Sequence, residues 1–243
     1  MNVVRKWKRL MAVGCTHGVH IDPAYRKATL EFRERWKPQT VFHLGDWCDT
    51  TALRAGAKNN ADSSEPIRPD IDVGLQYLRE LGVTHCTMGN HDERPYRFLN
   101  DPNAMVRELS EMLVEGIERE MKRAKIQWLN TWSNYQFFQL GGYKWMHGYM
   151  FNETAARDHA EAHGNVVFAH THTTQFAKGR RDDSPTGICV GTGTKFGNLD
   201  YAKTRRKTLS WSQGFVWGEY YDDRAVLWLH EQPRTETEWR LPV

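Results

Sequence analysis

Short apolar runs recur along the first two thirds of the chain, and each is closed by a cluster of polar residues. Leu10 to Gly14 ends at Cys15-Thr16-His17-Gly18, and Val41 to Leu44 ends at Gly45-Asp46-Trp47-Cys48-Asp49. Val83 to Met88 ends at Gly89-Asn90-His91-Asp92, and Val166-Val167-Phe168 ends at Ala169-His170-Thr171-His172. Apolar runs of this length, bounded by turn residues, read as buried strands. Between them the spacing changes to a helical period. Pro23 occupies the first turn of a helix that runs to about Trp36. A second helix covers roughly 70–81, with Ile71, Leu75 and Leu78 on one face. From Pro95 to Lys125 the pattern is helical, broken near Asp101-Pro102. There Met105, Leu109, Met112, Leu113, Ile117 and Met121 form a stripe that reads as core. Residues 56–65 are polar, contain glycine and read as a loop.

The later part of the chain turns to strands. Tyr135 to Leu140 and Tyr143 to Met146 flank the hairpin signal Gly141-Gly142, and the second of them delivers His147-Gly148. A helix over about 152–163 follows, then strands near 174–179 and 186–191. A hairpin pairs Phe215–Tyr221 with Ala225–His230. Alternating strands and helices, then mainly strands, indicate an α/β fold: two mixed β-sheets packed as a sandwich and flanked by helices. The length suits one domain spanning residues 1–243.

Composition narrows the function classes. With 26% charged and 12% aromatic residues the chain is not disordered. A formal charge of +3 admits an anionic substrate but is far from a nucleic-acid coat. No apolar run reaches the ~18 residues of a membrane span. The cysteines at 15, 48, 86 and 189 form no C-x-x-C pair. With no signal peptide recognisable, they read as reduced thiols of a cytoplasmic protein. Arg5, Lys6, Lys8 and Arg9 around Trp7 read as a solvated basic tail.

The strand ends carry the chemistry. In order they present Cys15/His17, Asp46/Asp49, Asn90/His91/Asp92, His147 and His170/His172. Strand ends in open α/β sheets are where ligand sites form, and these residue types are metal ligands. His147 alone would be an ordinary core or surface histidine. Five clusters of one design indicate a shared metal site. His170 and His172, two apart on an extended chain, would share one face.

These blocks resemble the calcineurin-like metallophosphoesterase superfamily, whose pattern is Asp-x-His, Gly-Asp-x-x-Asp, Gly-Asn-His-Asp/Glu, a single His, then Gly-His-x-His. All five blocks occur in order over residues 15–172. The small size and the Gly-Asn-His-Asp-Glu-Arg run are similar to stand-alone bacteriophage and bacterial members. The resemblance implies the superfamily's four-layer fold and a site for two divalent metal ions, Mn, Fe or Zn, bridged by Asp46. One ion would take Cys15, His17 and His172, and the other Asn90, His147 and His170. It implies hydrolysis of a phosphoester by in-line attack of a metal-bound hydroxide. His91 would serve the leaving oxygen, with Asp92 orienting its ring, and Asp49 would fix His17 or another ligand from behind.

Two positions depart from the pattern. Ala169 replaces the usual glycine, a small change. Cys15 replaces the first aspartate, and Cys-x-His-Gly is similar to the RNA lariat-debranching branch. The leading expectation is therefore a phosphodiesterase or nuclease. The alternatives are a phosphomonoesterase acting on nucleotides or phosphoproteins, and a non-catalytic metal-binding interaction module. Thr50-Thr51 stands where protein phosphatases have Arg-Gly. Arg94, Arg205, Arg206 and Lys207 are the candidate substrate contacts. Phe176, Phe196, Tyr201 and Trp211 lie among the basic residues of this region, a composition suited to single-stranded nucleic acid or a nucleotide. Asp182, Asp183 and Asp200 balance them, which is equally the pattern of a solvated loop. His159 and His163, one helical turn apart, read as a solvated helix face.

Overall fold

The computed structural model describes residues 6–57, 61–199, 206–236 and 238–243. Among the described residues eleven strands form two mixed sheets. The first sheet has the order β11-β10-β1-β2-β3-β4. Its members are β1 (Lys8–Val13), β2 (Thr40–His43), β3 (His85–Cys86), β4 (Gln127–Trp128), β10 (Gln213–Tyr221) and β11 (Arg224–Gln232). The second has the order β5-β6-β7-β9-β8, from β5 (Phe138–Leu140), β6 (Tyr143–Trp145), β7 (Val166–Phe168), β8 (Thr174–Lys178) and β9 (Thr186–Val190). Strands β1 to β4 run parallel, as do β6, β7 and β9; antiparallel pairs form every edge except that of β4.

Side-chain alternation along β1 shows how the layers are joined. Leu10 and Ala12 face the second sheet, where they join Phe42, Leu44, Trp145, Val167, Ile188 and Val216. Met11 and Val13 point the other way, into a core with Tyr25, Phe32, Leu78 and Ile117. That core lies under helices α1 (Pro23–Trp36), α2 (Ile67–Leu81) and α4 (Ala104–Arg123). On the far side of the second sheet, Phe168 and Cys189 pack with Ala155 and Ala156 of α5 (Ala155–His163). The sandwich flanked by helices is thus the arrangement expected from the sequence. Burial on both faces explains why β7 reads as an unbroken apolar run.

Several boundaries differ for identifiable reasons. Helix α2 begins at Ile67 rather than near residue 70. Pro69 sits in its first turn, where the missing N–H has no partner to lose. In the segment from Pro95, a single turn, α3 (Arg94–Arg97), and a 3₁₀ turn (Phe98–Asn100) precede α4. The methionine stripe is only partly core. Leu113, Ile117 and Met121 are buried, whereas Met105, Leu109 and Met112 are exposed. The basic N-terminal segment is not all tail: Lys8 and Arg9 pair with Tyr220 and Glu219 in the sheet, and the Arg9 guanidinium lies 4.6 Å from the Trp36 ring. The expected loop 56–65 contains a 3₁₀ turn at Ala61–Ser64. Among the described residues no helix is long and apolar enough to cross a membrane.

The two sheets meet most closely where the Phe42 and Trp145 rings stack, with centroids 4.4 Å apart and planes within 1°. Both rings are fully buried. Trp145→Ala should therefore destabilise the fold by about 3–5 kcal/mol, read as a lower urea midpoint.

Candidate metal centre

The carboxyl ends of β1, β2, β3, β6 and β7 open toward one another, and each exit is a sharp corner. Cys15, His17, Asp46, His170 and His172 all have left-handed backbones, with φ between 50° and 68°. Non-glycine residues seldom adopt this region, and where they do they concentrate at functional sites. The expectation that His170 and His172 share a face of an extended chain is thereby corrected: the two side chains reach the site from successive corners. Interlocking main-chain bonds hold the corners, including Cys15 N–H to Gly45 O at 3.0 Å and His17 N–H to Asp46 O at 2.9 Å. At the β3 exit only glycine fits. A Cβ on Gly89 would lie 2.1 Å from Asp46 Oδ1.

Three groups of donor atoms result, one of them His17, Asp49 and His91, and the other two share Asp46. Sγ of Cys15 and ligand atoms of His17, Asp46 and His172 lie within 4.8 Å of one another, as do those of Asp46, His147 and His170. Asp46 belongs to both. Asn90 Oδ1 joins the second group, 3.3 Å from His147 Nε2. The sequence-derived ligand candidates are thus brought together in the two sets that the resemblance implied.

The donor set suits divalent cations. His17 Nδ1 lies 2.7 Å from Asp49 Oδ1 and must donate to it, which leaves Nε2 with a bare lone pair. That lone pair faces His172 Nε2 at 3.0 Å and Asp46 Oδ2 at 3.9 Å. His147 Nδ1 donates to Leu44 O at 2.7 Å, so its Nε2 faces Asp46 Oδ2, 3.2 Å away. Buried lone pairs pointed at a buried carboxylate repel unless a cation lies between them. Burial holds His17 and His172 below the usual imidazole range and His170 at about 3. They are therefore neutral, as ligation requires. Burial opposes the charges of Asp46 and His147, yet each stabilises the other: Asp46 lies well below its usual pKa and His147 above. Burial, and then the charge of Asp46, push the Cys15 thiol upward. Its sulfur accepts the His170 N–H at 3.2 Å.

Around these groups the expected roles are redistributed. Asp92 does not orient His91. Its Oδ2 accepts from the N–H groups of Asp46 (2.6 Å) and Gly89 (2.9 Å), and its Oδ1 accepts from Cys48 N–H (3.0 Å). Those bonds tie the β2 exit to the β3 exit. Burial and the neighbouring Asp46 raise the Asp92 carboxyl to about 7. The carboxylate beside His91 is Asp49: its Oδ1 lies 2.7 Å from His91 Nδ1 and 2.7 Å from His17 Nδ1. Arg94 is likewise not turned to substrate. It is buried and donates to the main-chain oxygen of Asp49 at 2.6 Å. Arg205 lies outside the described residues, as do the side chains of Arg206 and Lys207.

His159 is a core residue rather than part of a solvated face. Its ring donates to Ala155 O at 2.8 Å and accepts from Tyr149 N–H at 3.1 Å. Two supporting acids escaped the sequence reading. Asp70 accepts from the N–H groups of Asp49, Thr50 and Val19, at 2.8, 2.7 and 3.1 Å, and so shapes the loop that carries Asp49. Glu93 binds the 131–133 turn. Its place directly after His91-Asp92 was the available signal, whereas nothing around Asp70 marks it.

The chain belongs to the calcineurin-like phosphoesterase family, whose model matches residues 8–189. That family typically uses divalent metal ions. Among solved structures the chain is similar to vacuolar protein sorting 29 from Cryptosporidium parvum, at 13% identity over 95% of this chain and 94% of that one, with a TM-score of 0.48. It is also similar to YfcE, a phosphoesterase from E. coli, at 19% identity over 86% and 91%, with a TM-score of 0.40. A third is a dimetal phosphatase from Danio rerio, at 10% identity over 92% and 96%, with a TM-score of 0.48. No curated protein sequence matches it.

Because one oxygen of Asp49 steadies both His17 and His91, Asp49→Asn should lower metal affinity or activity by about 10- to 100-fold. Metal titration alongside kcat/KM would measure it.

Proposed function

We propose that this chain is a metal-dependent phosphodiesterase acting on nucleic acid or a nucleotide derivative. The observation that carries the reading is the pair of buried donor groups sharing Asp46. Bound there, two divalent cations would act as Lewis acids on phosphoryl oxygens and lower the pKa of a water. Cys15, His17 and His172 would hold one ion, Asn90, His147 and His170 the other, and Asp46 both. His91 stands at the edge of the cluster, its Nε2 4.0 Å from Asp46 Oδ2. With Nδ1 facing Asp49, its Nε2 is the atom placed to hold a proton for the departing oxygen.

The charge balance supports a diester over a monoester. A monoester dianion calls for an additional cation near phosphorus. Among the described residues, Arg94 is engaged with the Asp49 carbonyl and Arg97 with Glu93. A diester carries one negative charge fewer. The four cysteines are buried and unpaired, which supports a reducing, cytoplasmic setting.

With Mn²⁺ or Zn²⁺, kcat/KM for bis-p-nitrophenyl phosphate should exceed that for p-nitrophenyl phosphate. The reverse order would make the protein a phosphomonoesterase. Silence on all phosphoesters, in wild type and His91→Ala alike, would make it a non-catalytic module.

The thiolate should favour Zn²⁺ or Fe²⁺ over Mn²⁺, being softer than the aspartate usual at that position. Cadmium-loaded wild type should show a thiolate charge-transfer band. Cys15→Ala should lose the band and one metal, and Cys15→Asp should keep two metals while shifting preference toward Mn²⁺. Retention of both metals at unchanged affinity in Cys15→Ala, with no band in wild type, would remove the thiolate from the site.

A further inference from the structure

The metal-ligand candidates are not equally enclosed. Cys15, His17, Asp46, His147 and His172 are buried, whereas Asn90 and His170 are partly exposed. The cluster therefore opens to solvent on the side of the second donor group. At that opening stand three aromatic rings. Trp132 lies 6.0 Å from the His170 ring, centroid to centroid, at 34°. Tyr135 meets Trp132 edge-on at 6.2 Å and lies against Tyr149 at 4.1 Å, the two planes tilted by 35°.

These rings are held in place from the catalytic motifs themselves. Trp132 N–H donates to Glu93 Oε1 at 3.0 Å, and its indole N–H donates to Gly148 O at 2.8 Å. Glu93 follows His91-Asp92 in sequence, and Gly148 follows His147. The Glu93 carboxylate also accepts from Thr131 and from both the main chain and side chain of Ser133. Arg97 pairs with Glu93 and lies 5.9 Å from the Trp132 ring, so positive charge sits at the outer edge. The turn is thus riveted to two of the strand exits that carry the ligands.

Tyr135 shows the arrangement to be more than packing. Its side chain is 46% exposed, yet its backbone is left-handed at φ 51°. A bulky residue in that conformation is a genuine outlier, for which glycine or asparagine would be the easier choice. A strained, exposed ring beside this cluster is the kind of outlier from which a functional role is inferred.

We infer that Trp132, Tyr135 and Tyr149 form a stacking subsite for a nucleobase attached to the scissile phosphate. The inference rests on the phosphodiesterase reading and names its substrate class. Stacking on aromatic rings tolerates any base, so the subsite would select for a nucleotide without selecting its sequence. The rings line the approach to His170, and the base would sit against them while the phosphate reaches the buried donor groups.

The test compares thymidine 5′-(p-nitrophenyl phosphate) with its abasic deoxyribose counterpart, which has the same leaving group and no base. Wild type should show the lower KM on the nucleoside diester. In Tyr135→Gly that discrimination should fall by about 5- to 100-fold, the range that loss of base stacking produces. Tyr135→Gly relieves the left-handed strain and should keep or raise the Tm. Tyr135→Asn, which also tolerates that backbone, serves if the glycine variant fails to fold. Unchanged discrimination in both variants overturns the subsite. If wild type hydrolyses neither diester, the phosphodiesterase reading fails, and calorimetric binding to metal-loaded protein decides the subsite alone. Thymidine 5′-monophosphate should then bind more tightly than deoxyribose 5-phosphate, and Tyr135→Gly should abolish the difference. Equal affinities in wild type overturn it.

Discussion

A single carboxylate, Asp46, sits where both sheets and five strand ends converge. It is buried among imidazoles whose lone pairs face it. An unbalanced negative charge in that position would be untenable, because burial removes the water that would otherwise stabilise it. The surroundings compensate in layers. Oδ1 accepts the His91 N–H at 3.0 Å, and Asp92 clamps the Asp46 main chain. Glycine at position 89 allows the β3 exit to approach closely. The donor atoms gathered around this carboxylate form two groups that could hold divalent cations.

The second consequence of the burial is a division of labour among the acids. Asp46 faces the donor groups, Asp49 holds two histidines from behind, Asp92 joins two loops and Asp70 shapes a third. All four are buried carboxylates close together, yet their settings differ. Asp46 and Asp49 lie beside imidazoles and are held well below their usual range. Asp92 and Asp70 are raised, chiefly by burial, although main-chain N–H groups favour their charged forms. The same side chain thus becomes a ligand candidate, a brace or a loop clamp according to which partners its corner of the backbone supplies.

The rigidity of this centre extends outward through short connections. Glu93 and Gly148 lie one or two residues beyond the groups they support, and both grip Trp132. The mouth of the cluster and its interior are therefore held by the same strand exits. The start of α4, by contrast, carries exposed methionines and has no tie to the centre.

The apolar runs, the helical periods and the five polar strand ends were all legible in the sequence, because strand burial and helix amphipathicity are local patterns. So were the donor types at 15, 17, 46, 90, 147, 170 and 172, since each lies directly after its strand. Other features depend on which strand exits face one another, and no local spacing encodes that. Asp49 rather than Asp92 stands beside His91 because the β2 exit curls over the β3 exit. Arg94 turns inward because the carbonyl of Asp49 awaits it there. His159 is buried because Phe168 lies across the helix from below. Tyr135 gains its meaning only when the turn that bears it is folded against Glu93, some forty residues away. Residue type and periodicity determined the strands and the candidate ligands. Tertiary packing decided which carboxylate serves which histidine, because hydrogen bonds and charges act through distance in space.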